Sequence, residues 1–184
     1  MSGIALIGSG NAFFKDEGIG LYAAKFLKEN YDFGPEVEIV DGGTLGFRLM
    51  PLLQEFDKVL IVNTSSDQSA ASGTITVRSC DEFLEGSHIK KTANEVEIAE
   101  MLQICSLTEA MAETVIVSIV PEDILSVEVG LSGQLKAAWP TYIETALAQL
   151  ARFGAAAEKR AEGTSLETVL QMFASPSVEH GRGF

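Results

Sequence analysis

Apolar residues along this chain gather in short runs, and longer amphipathic stretches lie between them. Residues 4–7, 59–62 and 114–120 are mostly apolar with no alternation, which is typical of strands buried on both faces. Residues 37–40 form a further strand-like run, and residues 74–77 alternate like a half-exposed antiparallel strand at a sheet edge. The pattern predicts a three-layer α/β fold: a mostly parallel twisted sheet of about five strands, helices on both faces and one antiparallel edge strand.

The stretches between the strands carry apolar residues at the spacing of an amphipathic helix. We predict helices over residues 21–30, 45–56, 94–107 and 134–152. A proline inside a helix lacks the N–H of its hydrogen bond, and its ring crowds the preceding turn. We therefore expect a break or kink at Pro51 and an interruption in the early part of the last helix at Pro140.

The composition changes near residue 154, where alanine, glutamate, lysine and arginine become frequent. We predict one α/β domain over residues 1–153, because a chain of 184 residues is long enough to bury a core without crosslinks. Residues 154–184 are predicted to be an appended C-terminal segment that is partly helical or mobile. A short helix is expected within this segment, over residues 165–173.

The net charge of −13 limits the partners that this chain is expected to bind. Nucleic acid and anionic membrane surfaces repel a strongly acidic protein, so we expect neither as a partner. Cys80 and Cys105 form no Cys-x-x-Cys motif, which argues against a disulfide framework and a structural zinc site. The sequence has no signal-like or membrane-spanning apolar run, and we therefore predict a cytoplasmic protein.

The stretch between the first strand and the first helix, residues 8–20, combines glycines with two adjacent acids. Gly10-Asn11 begins its loop, and Asp16-Glu17 stands just before the helix, where unpaired N–H groups and the helix dipole favour carboxylates. The loop does not fit a dinucleotide-binding turn, because that turn needs a third glycine at the position of Phe13. The two acids either cap the helix or contribute to a site.

Polar residues also follow other predicted strands of the sheet. They occupy residues 41–44 and 63–67, and a predicted helix begins with Asn94-Glu95. The carboxyl ends of parallel strands meet in one crevice, so we expect these segments and residues 11–17 to form a polar cluster. Each segment taken alone is also what an ordinary helix cap or turn contains. Their convergence on one edge of the sheet is what favours a functional site.

Asp41-Gly42-Gly43-Thr44 is the candidate substrate-binding segment. Paired glycines allow positive φ angles and the close approach of another backbone, which suits the docking of an extended peptide. A tight strand-to-helix turn would use the same residues. Cys80 and His88 each lack a partner at the spacing that nucleophilic or metal chemistry needs, and His180 lies in the C-terminal segment. We interpret these three side chains as loop or packing residues.

Several of these segments, in this order, resemble the hydrogenase maturation peptidases, a nickel-dependent endopeptidase family. The resemblance covers about residues 3–152, and its most specific part is the combination of GNxxxxDEGxG with DGGT. The matching segments are residues 8–11, 16–20, 37–44, 59–62, 72–74, 120–122 and 130–132. The resemblance implies the removal of a C-terminal peptide from the large-subunit precursor of a nickel–iron hydrogenase, which would be the protein partner.

The resemblance also implies three metal-binding positions in the crevice. They fall on Glu17, Asn63 and Asn94, and the two asparagines stand where the family has Asp and His. The metal would be nickel already inserted in the precursor, so no tightly bound cofactor is expected in this chain. A neutral amide oxygen is a weaker ligand for such an ion than a carboxylate or an imidazole. The two substitutions therefore weaken the implied site while preserving size and hydrogen-bonding capacity.

Two functions remain open from the sequence. A divergent peptidase would still cleave its precursor with rearranged ligands, for which Asp16, Asp67 and His88 are candidates at unsuitable positions. A non-catalytic relative would keep the peptide-docking residues 41–44 and act as a chaperone or assembly factor for a hydrogenase-like large subunit. The two asparagines favour the non-catalytic relative. A dinucleotide-binding domain is a third alternative, and Phe13 argues against it.

Overall fold

The computed structural model describes residues 3–43, 46–67, 69–86, 92–108 and 110–175. The strands in these residues are β1 Ile4–Ser9, β2 Tyr31–Asp32, β3 Val37–Gly43, β4 Lys58–Thr64, β5 Ile75–Ser79, β6 Glu113–Ile119 and β7 Glu158–Lys159. The helices are α1 Ile19–Asn30, α2 Met50–Glu55, α3 Cys80–Glu85, α4 Ala93–Ser106, α5 Gly133–Arg152 and α6 Leu166–Ala174. Short 3-10 helices span Lys15–Gly18 and Gly46–Leu49.

Five of these strands form one sheet in the order β3-β1-β4-β6-β5. β3, β1, β4 and β6 are parallel, whereas β5 pairs antiparallel with β6 at one edge. This order confirms the predicted parallel sheet and its antiparallel edge strand. β2 and β7 form a separate antiparallel pair. In the described part of the chain, no helix has the length and apolar character needed to cross a membrane.

The sheet carries apolar side chains on both faces, which explains the lack of alternation in its central strand. Along β4, Leu60 and Val62 belong to the hydrophobic cluster that includes α1, α5 and α6. Val59 and Ile61 belong to a second cluster, which includes residues of α2, α3 and α4. Successive side chains of a strand point to opposite faces, so one unbroken apolar run supplies both clusters. The predicted arrangement of helices on both faces is confirmed.

Helix α1 approaches β1 and β4 closely because glycines lie at the contact. A Cβ atom on Gly20 would overlap the carbonyl oxygens of Val62 and Ser9. A Cβ atom on Gly8 would lie 2.5 Å from the carbonyl oxygen of Gly20. These glycines therefore serve backbone packing, and they place the start of α1 directly beside the carboxyl ends of two strands.

Replacing Gly20 with alanine is expected to lower the free energy of unfolding by about 3 kcal/mol, because backbone atoms of two strands would have to move. Urea denaturation measures this change. Gly133→Ala is the matched control, since Gly133 is also helical and a Cβ atom there meets no atom within 4 Å. Equal stability of the two variants would show that α1 does not pack this closely.

The two prolines differ in their effect on their helices. Pro51 lies in the first turn of α2, directly after the second 3-10 helix, so the expected break is confirmed. The expected interruption at Pro140 is wrong, because α5 runs without a break from Gly133 to Arg152. Buried residues of α5 lie on both sides of the proline, and their packing offsets the backbone hydrogen bond that proline removes.

The described residues after position 153 pack on the same core as the rest of the chain. Val169 and Leu170 of α6 belong to the hydrophobic cluster that also contains residues of α1 and α5. Phe173 makes an edge-to-face contact with Tyr22 of α1. The expected short helix corresponds to α6, and residues 176–184 lie outside the described residues. The predicted domain boundary at residue 153 stays a prediction.

Candidate functional site

The loop after β1 is closed by its own backbone. The N–H of Asn11 donates to the carbonyl oxygen of Glu17 at 3.0 Å, and the Asn11 side chain accepts from the N–H of Phe13. Gly10 has a φ angle of +148°, and a Cβ atom there would overlap the Glu17 carbonyl oxygen. Glycine fits this close approach, so the predicted loop residues Gly10 and Asn11 shape the turn that presents Glu17.

Asp16 is fully buried and holds distant parts of the chain together. Its carboxylate accepts the backbone N–H groups of Glu122, Asp123 and Ser132, and also the Ser132 hydroxyl. These four distances lie between 2.7 and 2.9 Å. Asp16 is therefore a structural residue of the site loop, and its oxygens are not available as the substitute metal ligands that the sequence left conceivable.

Glu17 lies at the carboxyl end of β4, next to the fully buried Asp16. Its Oε1 accepts the hydroxyl of Thr64 at 2.7 Å. The Glu17 side chain is only partly buried, in contrast to Asp16. A carboxylate fixed through one oxygen can present its other oxygen to a ligand, so Glu17 is the acid that is suited to binding.

Asn63 is fully buried at the end of β4, on the same face of the sheet as Ile61. Its Oδ1 accepts the hydroxyl of Ser118 at 2.6 Å, and the Arg78 guanidinium donates to the same Ser118 oxygen at 3.4 Å. Within the described residues, the Asn63 Nδ2 atom is buried without a hydrogen-bond partner. The Tyr142 hydroxyl donates to the backbone carbonyl of Asn63 and so ties α5 to this strand end.

Asn94 lies in the first turn of α4, which Thr92 caps by accepting the N–H of Glu95 at 3.3 Å. The Asn94 Nδ2 donates to the Ser9 hydroxyl at 2.9 Å, so the start of α4 contacts the end of β1. Its Oδ1 is buried without a hydrogen-bond partner in the described part of the chain. Both asparagines of the implied metal site therefore have one bonded polar atom and one unbonded one.

The structure brings the predicted polar segments together at one edge of the sheet. Glu17 bonds to Thr64 at the end of β4, and Asn94 bonds to Ser9 at the end of β1. β3 ends beside β1, where Gly43 pairs with Ser9. Four segments that are far apart in the sequence therefore meet at this edge. Open α/β sheets bind ligands in the crevice outside the carboxyl ends of their strands, which is this position.

The described side chains at this edge include few of the ligands that a transition-metal ion prefers. Among the described residues, no group of three or more His, Cys, Asp or Glu side chains is placed to hold a metal. Asp67 accepts hydrogen bonds from the Ser69 hydroxyl and N–H, and these bonds lower its pKa. His88 lies outside the described residues. At the three family positions, only Glu17 supplies an anionic ligand.

The candidate substrate-binding segment is part of a strand rather than a turn. Asp41, Gly42 and Gly43 belong to β3, and Thr44 lies outside the described residues. A Cβ atom on Gly42 would lie 2.7 Å from the carbonyl oxygen of Gly8, so this glycine allows β3 to approach β1. Burial raises the pKa of Asp41. A role of this segment in substrate binding stays a prediction.

The sequence pattern alone does not reveal Arg78, Ser118 or Tyr142 as neighbours of the site. One feature of the sequence does point to this neighbourhood. Ser118 places a hydroxyl inside an apolar strand, and a buried hydroxyl needs a hydrogen-bond partner. The contact between Ser118 and Asn63 depends on the pairing of β4 with β6, which the sequence alone does not reveal. Cys80 begins α3, and burial raises its pKa, in keeping with the predicted packing role.

Comparison with known proteins relates this crevice to a family. The hydrogenase maturation protease model, HycI, matches residues 21–149, a range that includes Asn63 and Asn94 and begins just after Glu17. Over 170 residues, the chain is 29% identical to the hydrogenase expression/formation protein HupD of Rhizobium leguminosarum bv. viciae. This similarity covers 91% of the chain and 84% of the relative.

A further relative and a solved structure, both from Escherichia coli, show the same similarity. The hydrogenase 2 maturation protease of strain K12 is 28% identical over 158 residues, which covers 85% of this chain and 96% of the relative. The solved structure of the hydrogenase maturating endopeptidase HybD matches with a TM-score of 0.80 at 27% identity. That match covers 86% of this chain and 98% of the other. The similarity therefore extends over the sheet, its helices and the crevice.

Proposed function

This chain belongs to the hydrogenase maturation protease family, and we propose that it acts on the large-subunit precursor of a nickel–iron hydrogenase. The proposed reaction is hydrolysis of one peptide bond, which releases a C-terminal peptide from the precursor. The similarity to a hydrogenase expression/formation protein and to a hydrogenase maturation protease supports a substrate of this kind.

The observation that carries the proposal is that Glu17, Asn63 and Asn94 all lie at the carboxyl ends of β1 and β4. Hydrogen bonds to Thr64 and Ser9 draw the first loop and the start of α4 to the carboxyl ends of two adjacent strands. β3 lies at the edge of the sheet beside this crevice. The outer backbone of an edge strand offers unpaired N–H and C=O groups, which can bind an extended peptide.

Nickel enters this proposal as part of the substrate. It would give the precursor a cationic point that the Glu17 carboxylate can recognise, because Thr64 fixes one oxygen of that carboxylate and leaves the other for a ligand. Asn63 and Asn94 can add only neutral amide atoms, which bind such an ion more weakly. We therefore expect recognition of the loaded precursor to depend more on Glu17 than on either asparagine.

The assay for this function uses purified, nickel-loaded precursor and detects the released peptide by mass spectrometry. Glu17→Gln is expected to slow release at least about tenfold, because glutamine keeps an acceptor for Thr64 but removes the charge. Glu55→Gln is the matched control, since Glu55 is exposed at the end of α2 and lies near the start of β4, at the opposite end of that strand from Glu17. Unchanged release by the Glu17 variant would refute the role of Glu17.

A second candidate function, binding of the precursor without cleavage, is favoured by the hydrogen bonds of the two amides. The Ser118 hydroxyl donates a hydrogen bond to the Oδ1 of Asn63, which is the atom that would bind a metal ion. The Arg78 guanidinium is bonded to the same Ser118 and adds positive charge near this position, which opposes the approach of a metal cation. Such a protein would act as a chaperone or assembly factor for the precursor.

The same assay separates the two functions when binding and peptide release are measured side by side. Stoichiometric binding of the precursor with no release would refute the peptidase and establish the binding function. Release that depends on Glu17 would refute the non-catalytic function. A chain that neither binds nor cleaves the precursor would refute both.

A further inference from the structure

Four large apolar side chains are exposed in two loops beside the crevice. Phe13 and Phe14 directly precede the 3-10 helix that carries Glu17, and they are 65% and 38% exposed. Leu125 and Val127 lie between β6 and α5 and are 85% and 77% exposed. A single exposed apolar residue needs no explanation, but a contiguous group of this size marks an interaction surface.

Backbone contacts join the two loops into one surface. Phe14 forms a parallel β-bridge with Glu128, and the N–H of Lys15 donates to the Glu128 carbonyl at 2.9 Å. Phe13 and Val127 immediately precede the two bridged residues, so the bridge brings these two positions alongside each other. Phe13 and Val127 therefore lie side by side, and Leu125 is two residues away from Val127 in the same loop.

A second set of hydrogen bonds fixes the loop that carries Leu125. The N–H of Asp16 donates to the carbonyl of Asp123 at 3.0 Å, which adds to the bonds that the Asp16 carboxylate accepts. The Asp123 side chain in turn accepts the N–H groups of Leu125 and Ser126 at 3.0 Å each. A surface that is ordered before its partner arrives loses less entropy on binding.

Acidic side chains surround these apolar residues. The two loops, residues 11–18 and 121–130, contain five acids and one base, Lys15, and four of the acids reach the surface because only Asp16 is fully buried. Lys15 pairs with two of these acids at 2.9 and 3.8 Å, so its charge is compensated within the loops. Hydrogen bonds from the hydroxyl and N–H of Ser126 hold the pKa of Asp123 at about 2, and this carboxylate is ionised at neutral pH. The surface is thus apolar with an acidic border.

We propose that Phe13, Phe14, Leu125 and Val127 form a docking patch for an apolar segment of the precursor that carries lysine or arginine beside its apolar residues. This inference rests on the proposed function, since the precursor is the partner that it names. Phe13 and Phe14 belong to the loop that the Asn11–Glu17 backbone bond closes. A segment bound to the docking patch therefore holds the precursor next to Glu17.

The acidic border also argues against other occupants of the docking patch. A second copy of this chain would bring the same acids against their counterparts, which costs free energy through like-charge repulsion. An anionic lipid surface would be repelled for the same reason, and the net charge of −13 adds to this effect. A basic and apolar protein segment satisfies both the apolar side chains and the acids.

The test measures the affinity of the purified precursor by biolayer interferometry. The double variant Phe13→Ser with Leu125→Ser is expected to bind at least about tenfold more weakly than the wild type. Leu107→Ser is the matched control, because Leu107 is 87% exposed but follows the far end of α4 from Asn94, and its affinity should stay within about twofold. All three residues are exposed, so unchanged thermal unfolding is expected to show that the variants fold.

The border charge is tested separately with Glu122→Lys, whose side chain is exposed. We expect binding about fivefold weaker than that of the wild type, with a smaller loss of affinity on adding salt. A change in the salt dependence is not expected from a substitution that merely disturbs packing.

The outcomes distinguish the docking patch from the proposed function. Wild-type affinity of the double variant, with normal binding by the wild type, would overturn the docking patch alone. Absence of precursor binding by the wild type would overturn the proposed function and the docking patch with it. Concentration-dependent dimerisation that the double variant abolishes would assign these side chains to a second copy and overturn the proposal as well.

Discussion

The double substitution Asn63→Asp with Asn94→His is expected to tighten the binding of Cd²⁺, a stable substitute for Ni²⁺, about 1,000-fold relative to the wild-type chain. It would put two carboxylates and one imidazole at the three family positions, which now hold one carboxylate and two amides. Carboxylate and imidazole bind such ions far better than an amide oxygen, and we expect about 30-fold from each substitution.

The surroundings of both positions suit the new side chains. The Ser118 hydroxyl, which is 2.6 Å from the Asn63 oxygen, can donate equally to a carboxylate, and the nearby Arg78 guanidinium compensates the added charge. An imidazole at position 94 can contact the Ser9 hydroxyl, as the Asn94 amide does. We therefore expect the free energy of unfolding to change by less than about 1 kcal/mol.

Isothermal titration calorimetry with Cd²⁺ measures this gain. A control with Gln54→Asp and Gln134→His adds the same residue types at exposed positions of α2 and α5 and should leave affinity unchanged. Adding Glu17→Gln to the double variant should lower its affinity for Cd²⁺ at least about tenfold. If the double variant binds Cd²⁺ no better than this control, the three positions do not converge on a common ion.

Asp16→Asn is expected to lower the free energy of unfolding by about 4 kcal/mol. The Asp16 carboxylate accepts four hydrogen bonds, and an amide has only one oxygen to offer. Its NH₂ group would meet either the N–H of Ser132 or the N–H groups of Glu122 and Asp123. At least one buried backbone N–H would then face the amide NH₂ group, which is also a donor. A buried donor without an acceptor lowers the free energy of unfolding.

Urea denaturation measures the loss for Asp16→Asn, and hydrogen exchange localises it. The amide protons of Glu122, Asp123 and Ser132 should lose the most protection, because their acceptor is the group that changes. Asp32→Asn is the matched control, since Asp32 accepts a single exposed N–H bond from Gly34 and should cost less than about 1 kcal/mol. A similarly small loss for Asp16→Asn would contradict its role in joining the loops.

The sheet could be predicted from the sequence because its signal is local. An unbroken apolar run such as residues 59–62 indicates a strand with two covered faces, whatever its neighbours are. Pro140 shows the limit of the same reasoning. The sequence around this proline predicts an interruption, but α5 is continuous. Buried residues on both sides of the proline pack against distant segments of the chain, and the local sequence does not contain that information.

The site could be predicted in outline but not in its division of roles. Asp16 and Glu17 are adjacent acids in one loop, and no local pattern separates them. Asp16 meets donors around Ser132, whereas Glu17 meets Thr64, and both contacts depend on the tertiary fold. The position of Arg78 near Asn63 likewise depends on the register of three strands.

The bond between Asp16 and Ser132 spans 116 residues, and this separation sets an order for folding. During synthesis, the first loop leaves the ribosome long before β6 and the start of α5 exist. Until those parts fold, the Asp16 carboxylate stays hydrated, and nothing joins the loop of Phe13 to the loop of Leu125. A nascent chain shorter than about 132 residues therefore cannot display the complete docking patch, so partner recognition waits for nearly the whole fold.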